Sequence, residues 1–388
     1  MNRALSFLPR MKWVNELVDE KRLVDSFCEL VKVDSETGNE AQIFQVLKSK
    51  FEALGLDVKE DKAKEATGHG ANNLICTLPG TKKGTPIFLG THMDTVFPGQ
   101  NVKPMIADRY ITSDSTTILG SDDKAGISAI LEALRVISEE QLDHADVQVI
   151  VTIGEESGLL GAKALDTSLV HADYGFALDS DGPVGDIVVA APYQTKFIVD
   201  LYGKTAHAGI EPEKGVSAIT LAAKAIAKMP LGRIDKDTTA NIGRFEGGNA
   251  TNIVCDHVKI LAETRSLAKD KMDKQVKRMT EAFESTAEEM GGKADVQADF
   301  MYPGYRFSAD DAVVQLAAKA IETVGRTPHL LQSGGGSDAN VICGKGIPTI
   351  NLGVGYENIH TVKEKIAIDE LVKTSELVLA LINQAIEK

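Results

Sequence analysis

Short apolar runs that end in polar and acidic clusters constrain the fold of this 388-residue chain more than any other feature. Turn residues bound several of these runs, and the run over 147–153 is rich in β-branched residues, as buried strands are. A segment with apolar residues at helical spacing, 125–137, lies between them. Strands that alternate with helices are typical of a layered α/β domain. The predicted elements are strands over 73–78, 86–90, 147–153, 174–178 and 348–352, and a closing amphipathic helix over 370–386.

The middle of the chain has a different pattern. Residues 195–202 alternate polar and apolar side chains, as a half-exposed antiparallel strand does. The pattern after them predicts a helix over 216–228, strands over 239–245 and 252–264, a helix over 271–290 and a strand over 295–301. This β-α-β-β-α-β order is typical of the ferredoxin-like arrangement. We therefore expect 187–305 to form an α+β domain inserted into a discontinuous α/β domain made of 1–186 and 306–388.

Composition restricts the classes of function. The chain has 56 acidic and 42 basic residues, a net charge of −14, so nucleic acid is not an expected partner. No stretch reaches the ~18 apolar residues of a membrane span. Residues 1–13 lack an apolar segment followed by a cleavage site, so no signal peptide is expected. The cysteines lie far apart without a CxxC pair, which indicates free thiols in a cytoplasmic protein: Cys28, Cys76, Cys255 and Cys343.

Histidines and carboxylates lie in five clusters, four of which follow predicted strands. Ligands of an open α/β sheet collect outside the carboxyl ends of its strands, so we expect these side chains to converge. Carboxylates packed together without a cation repel one another strongly, and a divalent metal relieves that cost. Two imidazoles with several carboxylates suit zinc, with cobalt or manganese as alternatives. The clusters are 91–95 (THMDT), 119–126 (LGSDDKAG), 154–158 (GEESG), 179–182 (DSDG) and 358–361 (NIHT).

These five motifs, in this order, resemble those of the M20 family of dinuclear zinc peptidases, in particular its peptidase-T-like members. The resemblance extends over nearly the whole chain and includes the inserted domain. It implies a two-domain metallopeptidase with two zinc ions per active site, which cleaves short peptides as an aminopeptidase, with tripeptides favoured. An N-acyl-amino-acid hydrolase or deacetylase on the same fold, and a non-catalytic peptide-binding relative, remain as alternatives.

The resemblance also implies a role for individual residues. Asp94 would orient the ring of His92, and Glu155 would be the general base that takes a proton from a metal-bridging water. Asp123 and Asp181 are less favoured as ligands than their neighbours. The implied ligand set is His92 and Asp179 on one zinc ion, Glu156 and His360 on the other, and Asp122 bridging both.

The inserted domain is implied to contribute substrate contacts. His207 would donate a hydrogen bond to the oxyanion in the active site of a partner subunit, so a homodimer is implied. Arg265 would bind the C-terminal carboxylate of the peptide, because a guanidinium binds carboxylate bidentately. Asn252 would line the same pocket, and the backbone at Gly335, in the glycine-rich loop SGGGSD, would approach substrate. Arg265 has an alternative, an ion pair with Glu263.

Overall fold

The computed structural model describes residues 17–387, and these form two compact units. The first contains the described residues up to Val189, Phe307–Gln332, and the chain from Ser337 onward. The second contains Ala190–Arg306 together with Ser333–Gly336. The second unit thus includes Ser333–Gly336, the first four residues of the glycine-rich loop, whereas the sequence pattern predicts that all of 306–388 belongs to the first. Segment 1–13, for which no signal peptide is predicted, lies outside the described residues.

The bounds of the elements are as follows. The helices are α1 Glu20–Val31, α2 Ala41–Ala53, α3 Ala63–Thr67, α4 Ser121–Glu140, α5 Leu160–Ala164, α6 Ala218–Lys228, α7 Lys269–Met290, α8 Ala312–Thr323, α9 Asp338–Gly344 and α10 Ile368–Gln384. The strands are β1 Asp57–Glu60, β2 Leu74–Leu78, β3 Ile87–His92, β4 Met105–Ala107, β5 Tyr110–Thr112, β6 Val147–Thr152, β7 Tyr174–Ser180, β8 Asp186–Ala191, β9 Tyr193–Tyr202, β10 Gly232–Arg233, β11 Thr238–Gly247, β12 His257–Ser266, β13 Lys293–Tyr302, β14 Tyr305–Arg306, β15 His329–Gln332, β16 Thr349–Gly353, β17 Tyr356–Glu357 and β18 Lys365–Ala367.

A mixed sheet forms the centre of the first unit, with strand order β1-β2-β6-β3-β7-β16-β8. The central strands β6, β3, β7 and β16 are parallel, and the outer pairs are antiparallel. Every residue of β3 and β6 is buried, as expected for parallel strands covered on both faces. Helices α4 and α10 pack against each other beside this sheet. The predicted α/β fold is confirmed.

Helix α4 begins at the acidic motif, but its first turn is not helical throughout. Asp122 has φ −84° and ψ 100°, Asp123 has φ −122° and ψ 38°, and the peptide bond between them is cis. Regular helix therefore continues only after these two residues, in agreement with the helix predicted from 125. The irregular backbone presents two adjacent carboxylates in different directions.

The second unit contains an antiparallel sheet in the order β10-β11-β12-β9-β13 and the helices α6 and α7, which pack on it. Its element order is the predicted β-α-β-β-α-β, with the short β10 added. The strand predicted over 252–264 begins only at His257. The backbone before His257 forms hydrogen bonds outside the sheet. The N–H of Val254 donates to the carbonyl of Ala206, and the carbonyl of Cys255 accepts the N–H of Ala218.

Three further features complete the description of the fold. A small sheet in the order β17-β18-β5-β4 lies beside the turn that contains His360. The cysteines Cys28, Cys76, Cys255 and Cys343 are all free. Within residues 17–387, no helix combines the length and the apolar character that crossing a membrane requires.

Candidate functional site

The carboxyl ends of neighbouring strands bring the predicted ligands of the first unit together. β3 ends at His92, and Asp179 lies near the end of β7, the strand beside it. β6, on the other side of β3, leads into the loop that carries Glu156. The start of α4 contributes Asp122, and the turn between β17 and β18 contributes His360. Segments far apart in sequence thus meet at one edge of the sheet, as the topology requires.

Asp122 lies between the two histidines, with one carboxylate oxygen facing each. Nε2 of His92 is 2.9 Å from Oδ1 of Asp122 and 3.5 Å from Oδ1 of Asp179. Nε2 of His360 is 3.2 Å from Oδ2 of Asp122 and 3.1 Å from Oε1 of Glu156. This arrangement has the connectivity of a two-centre site, in which one carboxylate is shared and each imidazole belongs to a different half.

Two overlapping groups of side chains have potential metal-ligand atoms within 4.8 Å of one another: His92, Asp122 and Glu156, and His92, Asp123 and Asp179. The oxygens of Asp123 are engaged by protein donors, since they accept from the backbone N–H of Gly126 at 3.1 Å and from the hydroxyl of Thr91. Those of Asp122 face imidazole nitrogens instead. Asp181 is exposed and belongs to neither group.

The crowding of acids in this cluster shifts the proton affinities of its members. Burial disfavours charge on His92, but Asp179 and its other acidic neighbours outweigh that effect, and the pKa of His92 lies well above its usual value. Hydrogen bonds from the His360 ring to the carboxylates of Asp122 and Glu156 raise the pKa of His360 to about 10. Burial raises the pKa of Asp179 to about 6, whereas the two imidazoles overcome burial and lower the pKa of Asp122. The donor set therefore favours positive charge at its centre, as a site for divalent cations does.

Asp94 joins the end of β3 to the loop of the two glutamates. Its carboxylate is fully buried and accepts the backbone N–H of Glu155 at 3.1 Å and of Glu156 at 3.2 Å. Nδ1 of His92 lies 3.0 Å from the backbone carbonyl of Asp94 and 3.4 Å from its Oδ1. A proton on Nδ1 leaves Nε2 free to bind a metal ion. Asp94 thus contacts the glutamate loop as well as the ring that it was expected to orient.

Glu155 lies beside the cluster and is partly exposed. Burial and the negative charge of Asp179 hold the pKa of Glu155 well above its usual range. A carboxylate with a raised pKa suits a group that accepts a proton and then returns it.

Several buried polar residues around the cluster were not anticipated. The hydroxyl of Tyr356 donates to Oδ1 of Asp179 at 3.3 Å, and the side-chain amide of Asn351 donates to the carbonyl of Asp179 at 2.6 Å. Nζ of Lys124 donates to the carbonyl of Met93 at 2.7 Å. Lys124 lies inside a predicted motif and Asn351 inside a predicted strand, so their position along the chain was the available signal, whereas Tyr356 lies between such segments.

In the second unit, Arg265 contacts both an acid and the glycine-rich loop. Its Nε is 2.9 Å from Oε1 of Glu263, the ion pair that is the alternative role for this arginine. Its Nη1 donates to the carbonyl of Gly334 at 3.1 Å. The backbone N–H of Gly335 is 3.0 Å from the hydroxyl of Ser333. The guanidinium therefore links β12 to the loop that was predicted to approach substrate.

The remaining predicted residues of the second unit are exposed. His207 accepts the backbone N–H of Gly209 on its Nδ1 at 3.2 Å, so a proton on this ring lies on Nε2. Asn252 lies in the adjacent segment, where its carbonyl accepts the backbone N–H of Ala208. Both side chains are thus placed where they could contact another molecule.

Comparison with known proteins identifies the family. The sequence model of Peptidase family M20/M25/M40 matches residues 88–384, which is most of the chain. The chain belongs to the M20 peptidase family. The predicted resemblance, and with it the expectation of a peptidase-family enzyme, is confirmed.

Similar proteins match almost the whole chain. The uncharacterized protein YqjE of Bacillus subtilis is 60% identical over 369 residues, which is 95% of this chain and 100% of YqjE. The crystal structure of aminopeptidase PepT from Bacillus cereus is 62% identical, with a TM-score of 0.92 over 95% of this chain and 99% of that one. A tripeptidase structure from Staphylococcus aureus is 51% identical, with a TM-score of 0.93 over 94% of this chain and 98% of that one.

Proposed function

We propose that this M20-family protein is a metal-dependent aminopeptidase that hydrolyses short peptides, with tripeptides as its preferred substrates. The observation that carries the proposal is the position of Asp122 between His92 and His360, beside the glutamate pair 155–156. The similarity to structures described as aminopeptidase PepT and as a tripeptidase supports the substrate class.

The donor set fits two divalent metal ions, for which zinc is the favoured identity and cobalt or manganese would also suit. Bound there, such ions polarise a peptide carbonyl and lower the pKa of water. Asp122 would be shared between them. The residues that would complete the two halves are His92 and Asp179 for one ion and Glu156 and His360 for the other.

Glu155 is proposed as the general base. Its backbone N–H is held by the buried carboxylate of Asp94, which limits where its side chain can lie. Its carboxylate takes a proton from the attacking water and transfers that proton to the leaving amine. The raised pKa of Glu155 favours the first step, because the carboxylate then accepts the proton more readily.

The substrate contacts remain proposals for the second unit. Arg265 would bind the C-terminal carboxylate of the peptide, with Asn252 and the backbone N–H of Gly335 contributing hydrogen bonds. His207 would donate to the developing oxyanion from the second copy of the chain in a homodimer. Mixed dimers that combine a His207→Ala chain with a Glu155→Ala chain should then recover part of the activity that each variant lacks alone.

The decisive experiment combines metal analysis with substrate comparison. We expect close to two divalent ions per chain, and faster hydrolysis of tripeptides than of dipeptides or N-acyl amino acids. Glu155→Ala should keep both ions and lose most turnover. An active Glu155→Ala variant would refute the role of Glu155 as general base. A preference for N-acyl amino acids would assign the protein to the acyl-amino-acid hydrolases instead.

A further inference from the structure

Glu364 is a buried acid that the proposed mechanism does not use. It lies four residues after His360, directly before β18, and only 1% of it is exposed. Both of its carboxylate oxygens accept hydrogen bonds from the loop that opens α4. The donors are the backbone N–H groups of Leu119 at 2.8 Å and Gly120 at 2.9 Å on Oε2, and the hydroxyl of Ser121 at 2.5 Å and the backbone N–H of Asp122 at 3.1 Å on Oε1.

An ionised carboxylate is the side chain that suits this position. Four donors converge on two oxygens, and a carboxylate is acceptor-only, with about four lone-pair sites. An amide of the same length would place an NH₂ group against two of these donors. Hydrogen bonds to an ionised group are also stronger than neutral ones, which makes the burial of the charge of Glu364 tolerable.

The turn that carries Glu364 holds Asp122 at two points. Nε2 of His360 lies 3.2 Å from the Asp122 side chain, while Glu364 accepts the Asp122 backbone N–H. The turn itself is closed by hydrogen bonds from the Glu364 N–H to the carbonyl of Thr361 at 3.1 Å and from the Thr361 hydroxyl to the carbonyl of Asn358 at 2.7 Å. A displacement of the Glu364 carboxylate would therefore move Asp122 relative to His360.

We propose that Glu364 is a positioning residue that sets the metal affinity of the cluster by holding the backbone of Asp122 in register with His360. The proposal rests on the metal-binding role given above for these two residues. Glu364 itself contacts neither substrate nor metal in this scheme and acts through Asp122. Removing a group that orients a metal ligand typically lowers metal affinity by about 10- to 100-fold.

Glu364→Gln tests this proposal, with Glu376→Gln as its matched control. Glu376 is a second buried acid, 3% exposed, which lies on α10 and pairs with Lys373 at 2.5 Å rather than with the cluster. Zinc affinity is measured by competition with a chromophoric chelator, at a temperature where circular dichroism shows both variants folded. We expect an affinity at least about tenfold weaker for Glu364→Gln and a wild-type affinity for Glu376→Gln.

The other outcomes are also decisive. Equal zinc affinity in wild type and Glu364→Gln would overturn the role of Glu364 while leaving the metal site intact. Equal losses in both variants would show a general loss of stability and would also contradict the proposal. Failure of the wild type to bind zinc would refute the metal site itself. If Glu364→Gln does not fold, Ser121→Ala removes one donor and keeps the charge, and it should weaken zinc binding several-fold; an unchanged affinity would overturn the proposal.

Discussion

Replacing Asp94 by asparagine breaks the link between the end of β3 and the glutamate loop with little change in shape. Its two oxygens accept the backbone N–H groups of Glu155 at 3.1 Å and Glu156 at 3.2 Å, and the side chain is fully buried. Asparagine keeps one acceptor and places an NH₂ group against the other N–H. One charge-assisted hydrogen bond is then lost and one buried donor is left unpaired.

The expected loss of activity in Asp94→Asn follows from the one hydrogen bond that is lost. A hydrogen bond to a charged group contributes about 1.5–3 kcal/mol. At about 1.4 kcal/mol for each factor of ten, the loss corresponds to about 10- to 150-fold in rate. We expect kcat/KM for a tripeptide to fall within that range, since the productive position of Glu155 depends on the bond that weakens.

The assay is steady-state tripeptide hydrolysis with excess zinc, accompanied by metal analysis of each protein. Asp146→Asn is the control, because Asp146 accepts the backbone N–H of Gly80 at 2.6 Å next to the opposite end of β6. That variant should keep wild-type activity. An Asp94→Asn protein that retains both ions and hydrolyses within twofold of the wild-type rate would refute the reasoning.

Three other changes should have measurable effects. Gly154→Ala should lower the thermal melting temperature. A φ of +55° costs residues other than glycine about 1–2 kcal/mol, and the new Cβ would lie 2.7 Å from the ring of His69. An unchanged melting temperature would contradict this expectation. Tyr356→Phe removes the hydroxyl that donates to Asp179, and zinc affinity measured by chelator competition should fall about tenfold, whereas equal affinity speaks against it. Zinc affinity should rise from pH 7 to pH 9, and zinc binding should release protons that a pH indicator detects. The pKa of His360 is about 10, so this imidazole must lose a proton before it binds metal. A zinc affinity that does not depend on pH would contradict this expectation.

The sequence predicts those parts of the candidate site that depend on residues close together along the chain. Apolar runs mark the strands, and the residues at their carboxyl ends follow directly, so the sequence pattern alone places His92 and Asp179 at strand ends that converge. Which of two adjacent acids would bridge the proposed metal ions could not be derived in this way. Asp122 and Asp123 are adjacent and chemically identical, and only the irregular first turn of α4 gives them different partners.

Glu364 and Tyr356, which contact the proposed metal ligands, had no identifiable pattern in the sequence. Glu364 and its donors are separated by more than 240 positions along the chain, and Tyr356 and Asp179 by 177. A lone glutamate or tyrosine in a polar segment has no pattern that distinguishes it from a solvated side chain. The ion pair of Arg265 with Glu263 could be predicted as an alternative, because the two residues are only two positions apart on β12.

Sequence patterns are sufficient to predict the α/β class, the ferredoxin-like unit and the motifs of the family, because burial periodicity and strand-end chemistry are local properties. Only the folded chain settles which carboxylate oxygens face the two imidazoles and which buried carboxylate accepts the backbone N–H of Asp122. The physical reason is the reach of a hydrogen bond. It requires two atoms within about 3 Å, and only the folded chain brings residues hundreds of positions apart to that distance.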